Sequence, residues 1–236
     1  MSKSLFFVFM ALALTSVYIQ TDNLEIKQIT SPLLAGFVAV CAIVGLVTGH
    51  IRARDGLILT AAWALAACGD VFFEMSRLSA LPADAGRFFV TAVAFFLVAY
   101  LIFGVSFTIF GLTARLRAWK VTMAVVVAVA MGILANRSLL VPPGQDALII
   151  VYSAQAVILL FGGLLCLMSG RYHFGCIGIL LFFSDWLVGL RAFGNPDIVP
   201  PFVGRHVLIL ILLTYYIPMA ASIDYSFGLK GDERQG

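Results

Sequence analysis

Two carboxylates stand inside apolar runs, Asp70 and Asp185. Charged groups at membrane depth are expensive, so they are candidates for function by default. A carboxyl kept dry among apolar side chains can hold its proton and act as a general acid. A second, ionised carboxylate can then stabilise a developing cation or orient water, as in glycoside hydrolysis. Asp70 has Glu74 at i+4 and Arg77 at i+7 on about one helical stripe. The neighbouring Glu74 disfavours a second negative charge, which makes Asp70 the expected proton donor and Asp185 the expected ionised partner. Glu74 and Arg77 also suit a plain ion pair. Asp185 lies between Ser184 and Trp186 with no basic residue three or four positions away, so its partner must come from another helix.

Further polar groups share the apolar segments: Tyr100, Tyr152, and Tyr215 or Tyr216, with Gln155 one turn beyond Tyr152. Arg191 and Arg205, with His206, flank the last two segments. They can snorkel to lipid phosphates or clamp the phosphate of a bound ligand. Other chemistries find little support. His50, His173 and His206 are dispersed and make a poor zinc set, and Cys41, Cys68, Cys166 and Cys176 form no CxxC pair. No lysine sits near the middle of a segment to form a Schiff base, and no GxSxG elbow is present. No metal or cofactor is expected.

Composition fixes what must position these groups. Of 236 residues, 62% are hydrophobic and 11% charged, and the mean hydropathy is +1.05. Soluble domains carry about 45–50% apolar and about 25% charged residues. So few charges exclude an ordinary soluble enzyme, a disordered chain and a nucleic-acid binder. Charges and turn residues, among them Asp22, Glu25, Lys27 and Pro32, the Arg52-Ala53-Arg54-Asp55-Gly56 run, Arg115-Leu116-Arg117 and Gly170-Arg171, cut the chain into apolar segments at 4–21, 32–50, 57–76, 87–111, 119–135, 147–169, 174–193 and 204–226. Backbone polar groups must be satisfied in lipid, so each long segment is expected to be a helix. The expected fold is all-α: one polytopic domain over 1–236 with eight transmembrane helices. The first segment has some features of a signal peptide (Lys3, then Ala11-Leu12-Ala13), but its apolar run continues to Ile19, so an uncleaved helix is expected.

Eight spans put both termini on one side. That side would carry Lys3, Arg52, Arg54, Arg115, Arg117, Lys120, Arg171, Lys230 and Arg234. The other would carry Lys27, Arg77, Arg87, Arg137, Arg191 and Arg205. The excess places the termini in the cytoplasm. Asp70 and Asp185 then fall at similar depth on like-oriented helices, which could bring both to one cavity.

Gly69-Asp70, Phe183-Ser184-Asp185 and Thr214-Tyr215-Tyr216, in this order and spacing, resemble the lysoplasmalogenase (YhhN) family of eight-helix membrane proteins. Phe95-Phe96 and Tyr152 also fall where that pattern expects them. The chain departs from it at three positions. Tyr100 and Phe103 stand where the family usually has His and Tyr, and Met219 stands where it usually has Gln. The resemblance implies hydrolysis of the vinyl ether bond of lysoplasmalogens to a fatty aldehyde and glycerophospho-ethanolamine or -choline, with Asp70 and Asp185 as the catalytic acids.

The expected partners are a lysophospholipid substrate and membrane lipids, with no nucleic acid, and the expected location is an integral protein of the cytoplasmic membrane if the chain is bacterial. The expected substrate-contacting set is Glu74, Arg77, Tyr100, Tyr152, Ser184, Arg191, Arg205 and Tyr215. Two other readings compete. One is an ether-lipid-binding homologue without catalysis. The other is a proton-coupled transporter, for which the Asp residues of the third and seventh segments hint at a 4+4 duplication.

Overall fold

The computed structural model describes the backbone of residues 24–140, 146–195, 197 and 201–228, and the side chains of 32–140, 150–191, 194, 195, 197 and 206–227. Over these residues the chain forms seven helices: α1 (Leu24–Val47), α2 (Ala53–Leu78), α3 (Pro82–Thr113), α4 (Ala118–Arg137), α5 (Asp146–Met168), α6 (Tyr172–Phe193) and α7 (Pro201–Gly228). They follow the second to eighth apolar segments in order. The first segment, 4–21, lies outside the described residues, as do Lys3, Lys230 and Arg234 of the charge balance. Six helices, α2 to α7, are long and apolar enough to cross a membrane, and α1 adds a shorter apolar stretch, Pro32–Val47. Among the described residues the only β pairing is an isolated bridge between Leu139 and Gly194. Large apolar side chains such as Leu33, Val90, Val126, Ile133 and Ile150 point outward and are exposed. Water would not tolerate such a surface, whereas lipid favours it.

The breaks follow local chemistry. Gly170 takes a left-handed φ of 81° between α5 and α6, where a side chain would be strained. Pro82 opens α3, because the N–H that proline lacks has no intrahelical partner at that position. The largest departures from expectation are three helix starts. Pro32 does not separate two segments but lies inside α1, which starts at Leu24. α3 runs from Pro82 rather than 87. α2 starts at Ala53 rather than 57, after an extended Arg52, so Asp55 belongs to the first helical turn and not to a loop. An acidic residue is favoured there by the helix dipole.

The helices divide into two compact units, one of residues up to Ile102 with those from Met219 onward, the other Phe103–Pro218. The boundaries fall inside α3 and α7. In the first unit α1 packs along α2. The fully buried Trp63 of α2 donates its indole N–H to Ser222 Oγ of α7 at 2.9 Å. Nearer the start of α2, Tyr225 donates its hydroxyl to the buried Asp55 carboxylate at 2.6 Å. On the α2–α3 side, Phe72 stacks on Phe95 with ring centroids 5.5 Å apart, and Gly69 leaves room for the Phe96 ring.

In the second unit α5 lies between α4 and α6. Small residues set its contacts, as is usual where helices associate without a hydrophobic driving force. A side chain on Gly162 of α5 would strike the Gly104 carbonyl of α3 at 2.6 Å, and one on Gly178 of α6 would strike the Gly163 backbone of α5 at 2.8 Å. Gly175 of α6 similarly meets Leu167 of α5. Phe182 of α6 and Leu160 of α5 then join Ala128 of α4 in a buried apolar cluster. The steps Leu167–Gly175, Gly163–Gly178 and Leu160–Phe182 run antiparallel along α5 and α6. One turn further, the same register sets residues 155 and 185 opposite each other.

Candidate functional site

Asp70 lies on α2 in the first unit and is buried. Its predecessor Gly69 sits against the Phe96 ring, and Phe96 in turn lies 5.8 Å from Tyr100 on the same helix. Tyr100 is buried too. One turn beyond Asp70, the buried Glu74 accepts hydrogen bonds from Arg77 Nη1 at 3.1 Å to Oε1 and 3.4 Å to Oε2. Arg77 keeps part of its guanidinium at the surface. The Glu74 charge is thus answered by a cation three residues along the helix. That is the plain ion pair the sequence also suited.

Asp185 lies on α6 in the second unit, 5% exposed, beside the buried Ser184. Two factors fix how it faces. The α5–α6 register sets its level. Trp186, one residue on and so rotated about 100° around the helix, donates its indole N–H to Ser138 Oγ at 2.8 Å. Asp185 is left facing α5, where Tyr152 and Gln155, three residues apart, present their polar ends to its carboxylate. Asp185 Oδ2 and both amide atoms of Gln155 are buried without a hydrogen-bond partner. Buried polar atoms are nearly always satisfied in proteins, so three such atoms in one place mark a spot built to receive something polar.

The remaining candidates fall as follows. Tyr215 and Tyr216 are buried on α7, their rings 6.1 Å apart. Arg191 is exposed in the last turn of α6. The side chain of Arg205 lies outside the described residues. Phe103 and Met219, two of the departures from the family pattern, are both buried. Among the described residues no group of three or more His, Cys, Asp or Glu side chains is placed to hold a metal ion.

In sequence Gln155 lies one turn beyond Tyr152, outside the expected substrate-contacting set. The signal was its amide inside an apolar segment, a costly choice unless something pairs with it. Asp55, outside the apolar segments in sequence, is buried with the Arg54 guanidinium on one oxygen and the hydroxyl of Tyr225, 170 positions away, on the other.

No curated protein and no solved structure matches the chain. A model of the YhhN family matches residues 23–220. That span includes α1 through most of α7 and every candidate side chain described above. The chain therefore belongs to the YhhN family.

Proposed function

We propose that this protein is an intramembrane hydrolase that cleaves the vinyl ether bond of lysoplasmalogens. Family membership supports the reaction class. The observation that carries the reading on this chain is the buried Asp185 carboxylate, which faces Tyr152 and Gln155 with one oxygen unpartnered.

The chemistry needs two carboxyl groups. A proton moves from one, assigned to Asp70, to the β-carbon of the vinyl ether, and the electron pair of the double bond forms the new C–H bond. The resulting oxocarbenium ion is stabilised by the ionised second carboxylate, assigned to Asp185. Water adds to the cationic carbon and gives its proton to Asp185. The hemiacetal hydroxyl then gives its proton to Asp70 as its electrons form the aldehyde carbonyl, the C–O bond to glycerol breaks, and the departing glycerol oxygen takes the proton held by Asp185, which releases a fatty aldehyde and glycerophospho-ethanolamine or -choline and returns both carboxyl groups to their starting states.

The proposal includes the wider frame. The chain is taken as one domain of eight spans in the cytoplasmic membrane, with both termini in the cytoplasm. Arg77, Arg191 and Arg205 are assigned to the phosphate, and Tyr100, Tyr152, Ser184, Glu74 and Tyr215 to the polar lining. Purified protein tests the reading: aldehyde should form from lysoplasmenyl-ethanolamine and not from the saturated alkyl ether of the same headgroup. The substitutions at Tyr100, Phe103 and Met219 favour a second reading, a lipid-binding homologue without turnover. It predicts thermal protection by both lipids and aldehyde from neither.

A further inference from the structure

The orphaned atoms beside Asp185 have a definite chemistry. Gln155 is 1% exposed, and neither its amide oxygen nor its amide nitrogen has a hydrogen-bond partner. Because both atoms are unpaired, the conclusion does not depend on which way the amide is turned. The carboxamide therefore offers donors and an acceptor, and Asp185 Oδ2 opposite offers an acceptor. A phosphate can only accept, and the Asp185 carboxylate would repel it. An ammonium can only donate, and it would leave the Gln155 N–H groups unmet. A hydroxyl does both at once: it donates to Asp185 Oδ2 and accepts from the Gln155 amide.

We infer that Gln155, with Asp185, forms a recognition site for the free glycerol hydroxyl of the lysophospholipid. This makes Gln155 a specificity-determining residue for lipids that have lost the acyl chain next to the ether. An acylated glycerol oxygen cannot donate, and it brings a bulky chain to a position walled by packed helices. The site also couples recognition to chemistry. The hydroxyl is borne on the carbon adjacent to the one carrying the ether, so holding it at Gln155 sets the vinyl ether within a few bonds of Asp185. The inference rests on the proposed substrate class, but it concerns binding and can be tested without turnover.

The test uses a non-hydrolysable pair of probes. One is a saturated 1-O-alkyl-glycerophosphoethanolamine with its free hydroxyl, and the other is the same lipid lacking that hydroxyl. Dissociation constants are measured on the purified full-length protein in detergent. A site built to bond a hydroxyl discriminates strongly against its absence, so the wild type should prefer the hydroxyl lipid by about tenfold or more. Gln155→Leu should bring the two affinities within about twofold. Its melting temperature without lipid should be unchanged or higher, because an unsatisfied buried amide has been removed.

A merely structural role for Gln155 would weaken both lipids equally and leave the preference intact. That result, or a wild type that binds both probes within twofold, overturns the inference. The second outcome would assign the polar spot to water rather than to the lipid. A hydroxyl preference in a protein that releases no aldehyde would sink the proposed reaction and keep this site. Aldehyde release without the preference would do the reverse.

Discussion

Gly163 of α5 and Gly178 of α6 meet backbone to backbone, close enough that a Cβ on Gly178 would lie 2.8 Å from the Gly163 Cα. This contact fixes how α5 and α6 slide past one another, and so which α5 side chains Asp185 faces. Gly178→Val should force the helices apart. Overpacking of this kind costs about 1–3 kcal/mol, seen as a lower melting temperature in detergent, and should abolish most aldehyde release. Gly36→Ala is the control. Nothing lies within 4 Å of a side chain there, and alanine favours the helix by about 0.8–1.0 kcal/mol, so stability should hold or rise.

The Asp55–Tyr225 hydrogen bond ties the start of α2 to the end of α7. Tyr225→Phe leaves a buried carboxylate oxygen without its donor, a loss of about 1–3 kcal/mol in unfolding experiments. Replacing both partners, as in Asp55→Leu with Tyr225→Phe, should recover most of that loss. If the double variant is no more stable than Tyr225→Phe, the bond is not what holds Asp55 in place.

Glu74 and Arg77 should behave as a coupled pair. Arg77→Ala leaves the buried Glu74 charge without its nearest cation. The expected cost is about 1.5–3 kcal/mol, the range for a charge-assisted hydrogen bond, and it falls toward the low end because Arg77 is partly exposed. Adding Glu74→Gln should restore most of it. Additive effects in the double-mutant cycle would show that the two residues act independently.

Much of the fold was legible because lipid leaves the backbone few choices. The Arg115–Arg117 and Gly170–Arg171 breaks fall where α3 meets α4 and α5 meets α6. Legibility failed where a residue's meaning depended on a distant partner. Asp55 carries a charge next to Arg54 and so reads as loop, yet Tyr225 makes it a buried helix residue. Pro32 reads as a break, but the helix passes through it. For the site, the types and spacing of Asp70, Glu74 and Arg77 were readable on one helix, although whether Glu74 is answered by Arg77 depends on rotamers. That Asp185 needs a partner from another helix followed from its neighbours. That the facing groups are Tyr152 and Gln155 depends on the α5–α6 register, which the Gly163–Gly178 contact sets and no local pattern announces.

Asp70→Asn and Asp185→Asn should each lower aldehyde release by about 10²–10⁴-fold, the usual contribution of a positioned acid or base. Both variants should fold, since the amide keeps the shape of the carboxyl. Full activity in either would remove that residue from the reaction.

The most direct test of vinyl ether hydrolysis by carbon protonation is turnover of lysoplasmenyl-ethanolamine in D₂O, with the released aldehyde analysed by mass spectrometry. The proposed reaction delivers one solvent deuteron to the former β-carbon, so the aldehyde should carry a single deuterium on the carbon next to its carbonyl, and Asp70→Asn should release little of it. Aldehyde without that deuterium, or no aldehyde from the active-fold protein, would contradict the reaction proposed for this chain.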